Sequence, residues 1–125
     1  MNLFDASAVI ALVAEENGAD IAAGALDAED GAVSVVNLAE FLEVAERAGG
    51  GAAERLEELR ELFQIVPMTE EDALMAARLY PITRRTALSL ADRIALATAL
   101  RLGIPVLTTE RAWVEVPGVD VRVIR

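Results

Sequence analysis

The sequence contains no histidine, cysteine or lysine, so that all 11 basic residues are arginines. Without histidine there is no imidazole base or histidine metal ligand, and without cysteine there is no disulfide, thiolate zinc site or redox motif. Without lysine there is no Schiff base and no phosphate-binding loop that ends in Gly-Lys-Ser/Thr. Catalysis is left to carboxylates, hydroxyls, amides and arginines, together with a hard divalent cation such as Mg²⁺ or Mn²⁺.

Long apolar runs and an excess of positive charge are also missing. The apolar stretch 6–14 is nine residues long, whereas a membrane-spanning helix needs ~20. Asp5 precedes this stretch and Glu15 and Glu16 follow it, unlike the basic start of a signal peptide. We therefore expect a cytoplasmic protein with no membrane partner. The net charge of −10 argues against simple electrostatic adhesion to nucleic acid, so such binding requires bound cations or a local arginine cluster.

The chain has 125 residues, of which 54% are hydrophobic, and we expect a single domain spanning 1–125. Short apolar or β-branched runs predict strands at 1–5, 32–36, 64–67, 104–108 and 119–124. Helical patterns lie between them, at 6–14, 18–28, 37–48, 52–62, from 70 onward after Thr69, and 89–102. Ser7 could cap the first of these helices. Strands that alternate with helices indicate an α/β fold, with a central, mostly parallel sheet covered on both faces.

Four acidic residues follow predicted strands or begin a predicted helix. Asp5 closes the first strand, Glu40 follows the second, Asp92 lies in the first turn of the apolar helix 89–102, and Glu110 follows the fourth strand. Ligands bind at the carboxyl ends of strands in such sheets, so we expect these carboxylates to meet there. A cluster of like charges is physically reasonable if it binds divalent cations.

Each acid also has an ordinary structural interpretation. Asp5 is a favoured helix N-cap, and Ser89 with Asp92 has the spacing of a capping box. Glu40 lies opposite an apolar stripe, which favours a solvated face, and Glu110 alone is typical of a loop. Only their joint placement favours a site.

Four segments carry a family resemblance: LFDASA at 3–8, SVVNLAE at 34–40, LSLADR at 88–93 and VLTTERAW at 106–113. In this order and spacing they resemble the PIN-domain ribonucleases, and more closely the VapC-type toxins of bacterial toxin–antitoxin pairs. The resemblance implies a three-layer α/β/α sandwich with a Mg²⁺ or Mn²⁺ site. It also implies a homodimer and a cognate antitoxin that covers the active-site groove.

The resemblance carries over to individual residues. It places Asp5, Glu40, Asp92 and Glu110 at the four acidic positions, although aspartate is usual at the fourth. Ser7 and Thr108 match hydroxyl positions near the site, and Asn37 is a supporting partner for an acid.

Two functions remain as hypotheses. The first is a metal-dependent endoribonuclease that hydrolyses RNA. Four arginines are candidates for contacts with RNA phosphates, although a structural role explains them equally well: Arg84, Arg85, Arg93 and Arg111. The second is a catalytically weakened PIN-fold protein that acts mainly as a protein-interaction module. An aspartyl-phosphate enzyme is set aside because such enzymes ordinarily use a lysine. Trp113 is expected to pack in the core rather than to stack on bases.

Overall fold

The structure is a computed structural model that describes residues 1–125. Its five strands are β1 (Asn2–Phe4), β2 (Gly31–Ser34), β3 (Phe63–Val66), β4 (Val106–Thr108) and β5 (Val121–Val123). Its helices are α1 (Ala6–Val13), α2 (Ala19–Ala28), α3 (Val35–Arg47), α4 (Ala52–Leu62), α5 (Glu70–Thr83) and α6 (Leu90–Leu102), with a 3₁₀ helix at Arg111–Glu115. None of the helices combines the length and apolar character that crossing a membrane requires.

The five strands form one entirely parallel sheet in the order β3-β2-β1-β4-β5. The chain builds the sheet outward from β1 through β2 to β3, and then on the other side of β1 through β4 to β5. The topological switch point, where ligands bind in such sheets, therefore lies between β1 and β4.

Alternating side chains of the central strands enter two apolar cores, one on each face of the sheet. Phe4 of β1 and Leu107 of β4 pack in a core with residues from α1 to α4. Leu3 and Val106, their neighbours in sequence, pack on the other face with residues from α5 and α6 and with Trp113. The three-layer α/β/α sandwich is confirmed, and Trp113 is buried as predicted.

The boundary between β2 and α3 differs from the sequence prediction. Val35 and Val36 were expected to extend the strand, because β-branched residues favour strands. The helix instead begins at Val35, since the Ser34 hydroxyl accepts a hydrogen bond from the Asn37 backbone amide. An N-cap at the end of the strand thus outweighs the local β propensity.

The N-cap of α1 is Asp5, as the structural interpretation of this acid predicts, and not Ser7. The Asp5 side chain accepts a 2.8 Å hydrogen bond from the backbone amide of Ala8. Ser7 already lies within the helix, where its hydroxyl donates to the same carboxylate.

Candidate active site

A cavity of about 230 Å³ opens at the carboxyl ends of the central strands. All four predicted acids contribute to its wall, although they come from different parts of the chain. Its lining residues are Asp5, Ala6, Ser7, Ile10, Glu40, Val44, Asp92 and Glu110. The predicted convergence of the carboxylates is therefore present, and no arginine lines the cavity.

Asp5 is the most buried of the four acids, with 3% of its surface exposed. One carboxylate oxygen accepts hydrogen bonds from the Ala8 amide and from the Ser7 hydroxyl, at 2.8 and 2.7 Å. The other accepts a 2.7 Å hydrogen bond from the Thr108 hydroxyl. Asp5 thus caps a helix and also lines the cavity, so its interpretation as an N-cap and its placement at the site are compatible.

Ser7 and Thr108 join the end of β4 to the start of α1. Their hydroxyl oxygens lie 3.4 Å apart. Ser7 accepts a 3.0 Å hydrogen bond from the Thr109 amide, and Thr108 accepts one of the same length from the Glu110 amide. Each hydroxyl donates to Asp5 and accepts from the backbone, which fixes the carboxylate relative to the segment that carries Glu110.

Burial raises the pKa of Asp5 from 3.8 to about 6. The hydrogen bonds from Ser7, Thr108 and Ala8 act in the opposite direction, and the charge of Asp92 raises the pKa further. Keeping the buried Asp5 carboxylate charged therefore costs folding free energy when no positive charge lies nearby.

Glu40 is half-buried at the cavity, and the expectation of a fully solvated face is wrong for this residue. Burial raises its pKa, the Asn37 amide opposes the shift, and the charges of Asp92 and Glu43 add to it. The Asn37 side-chain nitrogen donates a 2.8 Å hydrogen bond to Glu40 and a 3.4 Å bond to the carbonyl of Ala91. Asn37 therefore links Glu40 to the first turn of α6, beside Asp92.

Ser34 is a supporting residue that the sequence analysis did not identify. Its hydroxyl donates a 2.8 Å hydrogen bond to the side-chain oxygen of Asn37, which is 1% exposed. This bond fixes the orientation of the Asn37 amide, so that its nitrogen points to Glu40. The available signal was a serine three residues before an asparagine at a strand–helix junction, a spacing typical of an N-cap.

Asp92 and Glu110 complete the acidic wall. Asp92 and Ser89 form the predicted capping box, in which one Asp92 oxygen accepts a 2.9 Å hydrogen bond from the Ser89 amide. The other Asp92 oxygen has no hydrogen-bond partner within the protein. Glu110 precedes the 3₁₀ helix, is exposed, and its side chain makes no hydrogen bond within the chain.

A family model described as "PIN domain" matches residues 3–119 of the chain. The chain belongs to the PIN domain family. The matched segment contains all four acids of the cavity. No curated protein matches the chain in sequence.

Solved structures share the fold of this PIN domain at low sequence identity. A toxin–antitoxin complex from Klebsiella pneumoniae superposes with a TM-score of 0.79 at 23% identity, covering 100% of this chain and 98% of that one. VapBC-1 from nontypeable Haemophilus influenzae gives 0.80 at 15% identity, with 98% and 96% covered. VapC20 of Mycobacterium tuberculosis, described as a Sarcin-Ricin loop cleaving toxin, gives 0.70 at 18%, with 87% and 88% covered. These similarities support the PIN fold over nearly the whole chain.

No three acidic side chains of this PIN domain lie close enough together to form a ready-made metal cluster. Mg²⁺, however, is usually bound through one or two carboxylates and keeps several of its water molecules. The donor set suits such an ion, because it consists of carboxylates. Asp92 and Glu40 each keep an oxygen without a hydrogen bond, and Glu110 keeps both. In donor chemistry the residues therefore fit a hydrated Mg²⁺ or Mn²⁺.

The arginines suggested as RNA contacts differ in their surroundings. Arg84 and Arg85 are exposed and make neither an ion pair nor a side-chain hydrogen bond. Arg111 is exposed and donates a 3.1 Å hydrogen bond to the carbonyl of Arg125. Arg93 is turned toward α5, where its guanidinium lies 5.1 Å from the ring centre of Tyr80. None of the four is paired with an acid, which was the structural alternative considered for Arg93 and Arg111.

Proposed function

We propose that this PIN domain is a metal-dependent endoribonuclease and the toxin of a toxin–antitoxin pair. The observation that carries the proposal is the convergence of four carboxylates, from separate segments, on one cavity without a basic side chain. Burial raises the pKa of Asp5, and the like charge of Asp92 raises it further, so negative charge is held at this site at a cost in free energy. A divalent cation would remove that repulsion.

In this proposal Asp5, Asp92 and Glu40 hold Mg²⁺, with Mn²⁺ as a possible substitute, and Glu110 assists at a second position or through water. The bound cation would supply an acidified water nucleophile and neutralise charge on the phosphate oxygens. Ser7 and Thr108 fix the Asp5 carboxylate, and Asn37 orients Glu40. These supporting bonds restrict the acids to a narrow range of positions before the cation binds.

RNA is the proposed substrate, because arginines that form no ion pair directly follow two of the acids that line the cavity. Arg84 and Arg85 are free to contact phosphates, and Arg111 follows Glu110 directly. Arg93 keeps its cation–π contact with Tyr80 and is the least available of the four. Phosphate contacts of this kind position a strand without reading its sequence.

The surface of the chain has an apolar groove that suits the proposed antitoxin. A largely apolar cavity of about 210 Å³ lies between α1 and α3, and it is lined by Ile10, Val13, Ala14, Phe41, Val44, Ala45, Ala48 and Arg55. Ile10 and Val44 also line the acidic cavity, so the two cavities adjoin. A partner with an apolar helix face followed by an arginine would fill the groove and pair with the acids.

A homodimer in the cytoplasm completes the proposal. Large apolar side chains are more than half exposed where α5 ends and α6 begins, at Tyr80, Ile82 and Leu90. Such side chains are typical of a surface that a second copy covers. Light scattering of the purified chain, compared with Ile82→Glu, tests this part: a dimer for the parent and a monomer for the variant are expected.

The proposed activity is tested with purified protein and a panel of structured and single-stranded RNAs, in Mg²⁺, in Mn²⁺ and in EDTA. Asp5→Asn is the inactive variant, and Asp20→Asn, at an exposed acid of α2, is its matched control. We expect cleavage with either metal, none in EDTA, none from Asp5→Asn, and parental rates from Asp20→Asn. Cleavage by Asp5→Asn would contradict the role of Asp5.

The alternative is the weakened PIN-fold interaction module. It is favoured by the absence of a preformed three-carboxylate cluster and by the apolar groove. Calorimetry distinguishes the two functions. If no RNA is cut and the protein binds neither Mg²⁺ nor Mn²⁺, the interaction module replaces the nuclease.

A further inference from the structure

The connection between α3 and α4 contains three consecutive glycines, Gly49, Gly50 and Gly51. All three have positive φ, at 122°, 99° and 96°, a region that glycine enters without the cost that a Cβ atom imposes. The amides of Gly49 and Gly50 bond to carbonyls in the last turn of α3, at 3.2 Å. A Cβ atom at either position would meet nothing within 4 Å, so open space surrounds this turn. The connection therefore has the composition and the freedom of a hinge between the two helices.

The two ends of α4 are attached to the rest of the protein unequally. At its C-terminal end Leu59 is buried, and the chain passes directly into Phe63 of β3, which pairs with β2 in the sheet. At its N-terminal end Gly51 occupies the N-cap position and offers no side-chain hydrogen bond. The Ala52 amide instead donates a 3.1 Å hydrogen bond to the exposed carboxylate of Glu46 on α3. This is the one hydrogen bond that joins the two helices.

The ion pairs near this connection lie within single helices. On α4, Arg55 pairs with Glu58 at 2.6 Å and Arg60 with Glu57 at 2.7 Å, and the pair on α3 also stays within its own helix. Pairs at the i, i+3 spacing support a helix on its own. No ion pair joins α3 to α4. We therefore expect α4 to move as an intact helix, and not to unfold, when its N-terminal end is released.

The apolar groove between α1 and α3 has one lining residue on α4, which is Arg55. All the other lining residues are apolar and belong to α1, α3 or the residues that end these helices. Arg55 lies one helical turn after Gly51, near the weakly attached end of α4. A movement of that end therefore shifts the Arg55 side chain relative to the apolar walls of the groove.

We propose that α4 is a hinged wall of the apolar groove, whose N-terminal end swings about the anchored end at Leu59. The three glycines are the joint, and the Glu46 carboxylate is a latch that holds the Ala52 amide in the observed position. An exposed hydrogen bond is readily exchanged for bonds to water, so the latch opens at little cost. With α4 swung out, the groove would admit larger apolar side chains than its observed volume of about 210 Å³ allows. The movement stands by itself, whereas its use in admitting a partner rests on the proposed antitoxin.

Spin labels test the movement, because the chain has no cysteine and two introduced cysteines are then the only labelling sites. Asp20→Cys, at an exposed position of α2, supplies the reference label. Glu54→Cys places the second label near the movable end of α4, and Glu61→Cys places it near the anchored end. Pulsed electron paramagnetic resonance measures the distribution of distances between the two labels. We expect a broader distribution for the labels at 20 and 54 than for those at 20 and 61.

Three variants of α3 test the latch in both labelled proteins. Glu46→Ala removes the acceptor of the Ala52 bond, and it should broaden the distribution at 20 and 54 further while leaving the one at 20 and 61 unchanged. Glu46→Gln keeps an acceptor oxygen and should retain the parental width. Glu43→Ala is the matched control, because it removes the same charge from the same helix but Glu43 bonds only to Arg47. Circular dichroism verifies that each variant is folded.

Equal widths for the two label pairs, or a distribution at 20 and 54 that Glu46→Ala leaves unchanged, would overturn the proposal. Equal broadening by Glu43→Ala would also overturn it, since the lost charge and not the lost bond would then be the cause. These measurements use neither RNA nor an antitoxin. If the parent cuts no RNA in either metal but the labels behave as expected, the proposed function fails and the hinge stands. If the parent cuts RNA and the two label pairs have equal widths, only the hinge fails.

Discussion

The hydroxyl of Thr108 donates a 2.7 Å hydrogen bond to the carboxylate of Asp5, although 103 positions separate the two residues. The bond joins the end of β4 to the end of β1, across the topological switch point of the sheet. It compensates in part for a carboxylate that is 3% exposed and has no cationic partner. The strand order thus places a buried carboxylate at the proposed active site.

Replacing Asp5 by asparagine should stabilise the metal-free protein at neutral pH while abolishing RNA cleavage. The pKa of Asp5 is 3.8 before burial and about 6 in the fold, so the folded state binds more protons between these values. The stability of the parent therefore falls as pH rises from 3.8 to beyond 6, and the loss is at most about 3 kcal/mol. Asparagine carries no charge, and the neighbouring hydroxyls can reorient to satisfy its amide.

Urea unfolding in EDTA at pH 5 and at pH 8 measures this effect. The variant should gain stability over the parent at pH 8 and gain less at pH 5. Equal stabilities at pH 8 would show that burial of the Asp5 charge carries no penalty.

Replacing Thr108 by valine should raise the pKa of Asp5 above its parental value. Valine has nearly the same shape but cannot donate to the carboxylate, and the donated bond is one of the causes that lower this pKa. Carbon-13 NMR titration of the Asp5 carboxyl group reports the change. Thr98→Val is the matched control, because Thr98 is equally buried but bonds only to the carbonyl of Ile94. An identical titration in Thr108→Val would contradict the assigned role of the hydroxyl.

The positions of Asp5 and Asp92 at the cavity could be predicted from the sequence, because the local capping pattern and the sheet topology agree for both residues. Both residues have the spacing of a helix cap. Asp5 follows an apolar strand and Asp92 lies at the start of an apolar helix, and the connections of a parallel sheet fix the direction of both segments. The layers of the sandwich were predictable for the same reason, since apolar strands and helices alternate along the chain.

Ser34 and Glu40 are the two positions at which the dominant local pattern of the sequence differs from the structure. The β-branched Val35 and Val36 extend the strand pattern, and only the Ser34 hydroxyl bonded to Asn37 shows that the helix has begun. Helical periodicity assigned Glu40 to the solvent face, but α6 packs across that face and brings Ala91 within reach of Asn37. Such a contact joins residues 54 positions apart, which a local pattern does not encode.

Removing the Arg101 side chain should cost about 1–3 kcal/mol of folding stability, because it leaves the buried Asp72 carboxylate without its cationic partner. Arg101 donates two hydrogen bonds to Asp72, at 2.7 and 3.1 Å, between the end of α6 and the start of α5. Burial acts to raise the pKa of Asp72, but the bonds from Arg101 and Thr69 outweigh it and hold the pKa below 3.8. The pair therefore stabilises the fold above that pH, and its contribution is lost as the pH falls through the lowered value.

Urea unfolding of Arg101→Met across pH 3–8 tests this pair. The deficit against the parent should be largest at neutral pH and shrink in acid. The double variant Asp72→Asn/Arg101→Met should recover part of the stability, since no charge remains buried. A deficit that does not change with pH would mean that lost packing of the Arg101 stem, and not the unpaired charge, is the cause.

Shortening Glu110 to aspartate should keep or raise the rate of RNA cleavage. The Glu110 side chain makes no hydrogen bond within the chain, so no supporting network depends on its length. Glu110→Gln retains the length but removes the charge, and should lower the rate by roughly 10–100-fold if the residue acts on the metal through water. Cleavage rates and Mn²⁺ affinities of both variants are the measurements. Complete loss of cleavage in Glu110→Asp would show that this site requires glutamate.

Neutralising Arg84 and Arg85 together should weaken the binding of single-stranded RNA and reduce its salt dependence. Each phosphate contact contributes ~0.7 to the slope of log K against log salt concentration, so the loss of two lowers the slope by about 1.4. Fluorescence anisotropy measures the RNA affinity and its salt dependence, in an Asp5→Asn background that prevents cleavage. Such binding changes strongly between about 50 and 200 mM salt, which is the range to use. The double variant is Arg84→Gln/Arg85→Gln.

The matched control is Arg55→Gln/Arg60→Gln, which removes the same charge from α4. Arg55 and Arg60 are ion-paired with Glu58 and Glu57, at 2.6 and 2.7 Å. Their removal leaves two exposed carboxylates unpaired but takes no free cation from the loop between α5 and α6. If both double variants lose the same affinity and the same slope, RNA responds only to net charge, and the loop between α5 and α6 is not its contact.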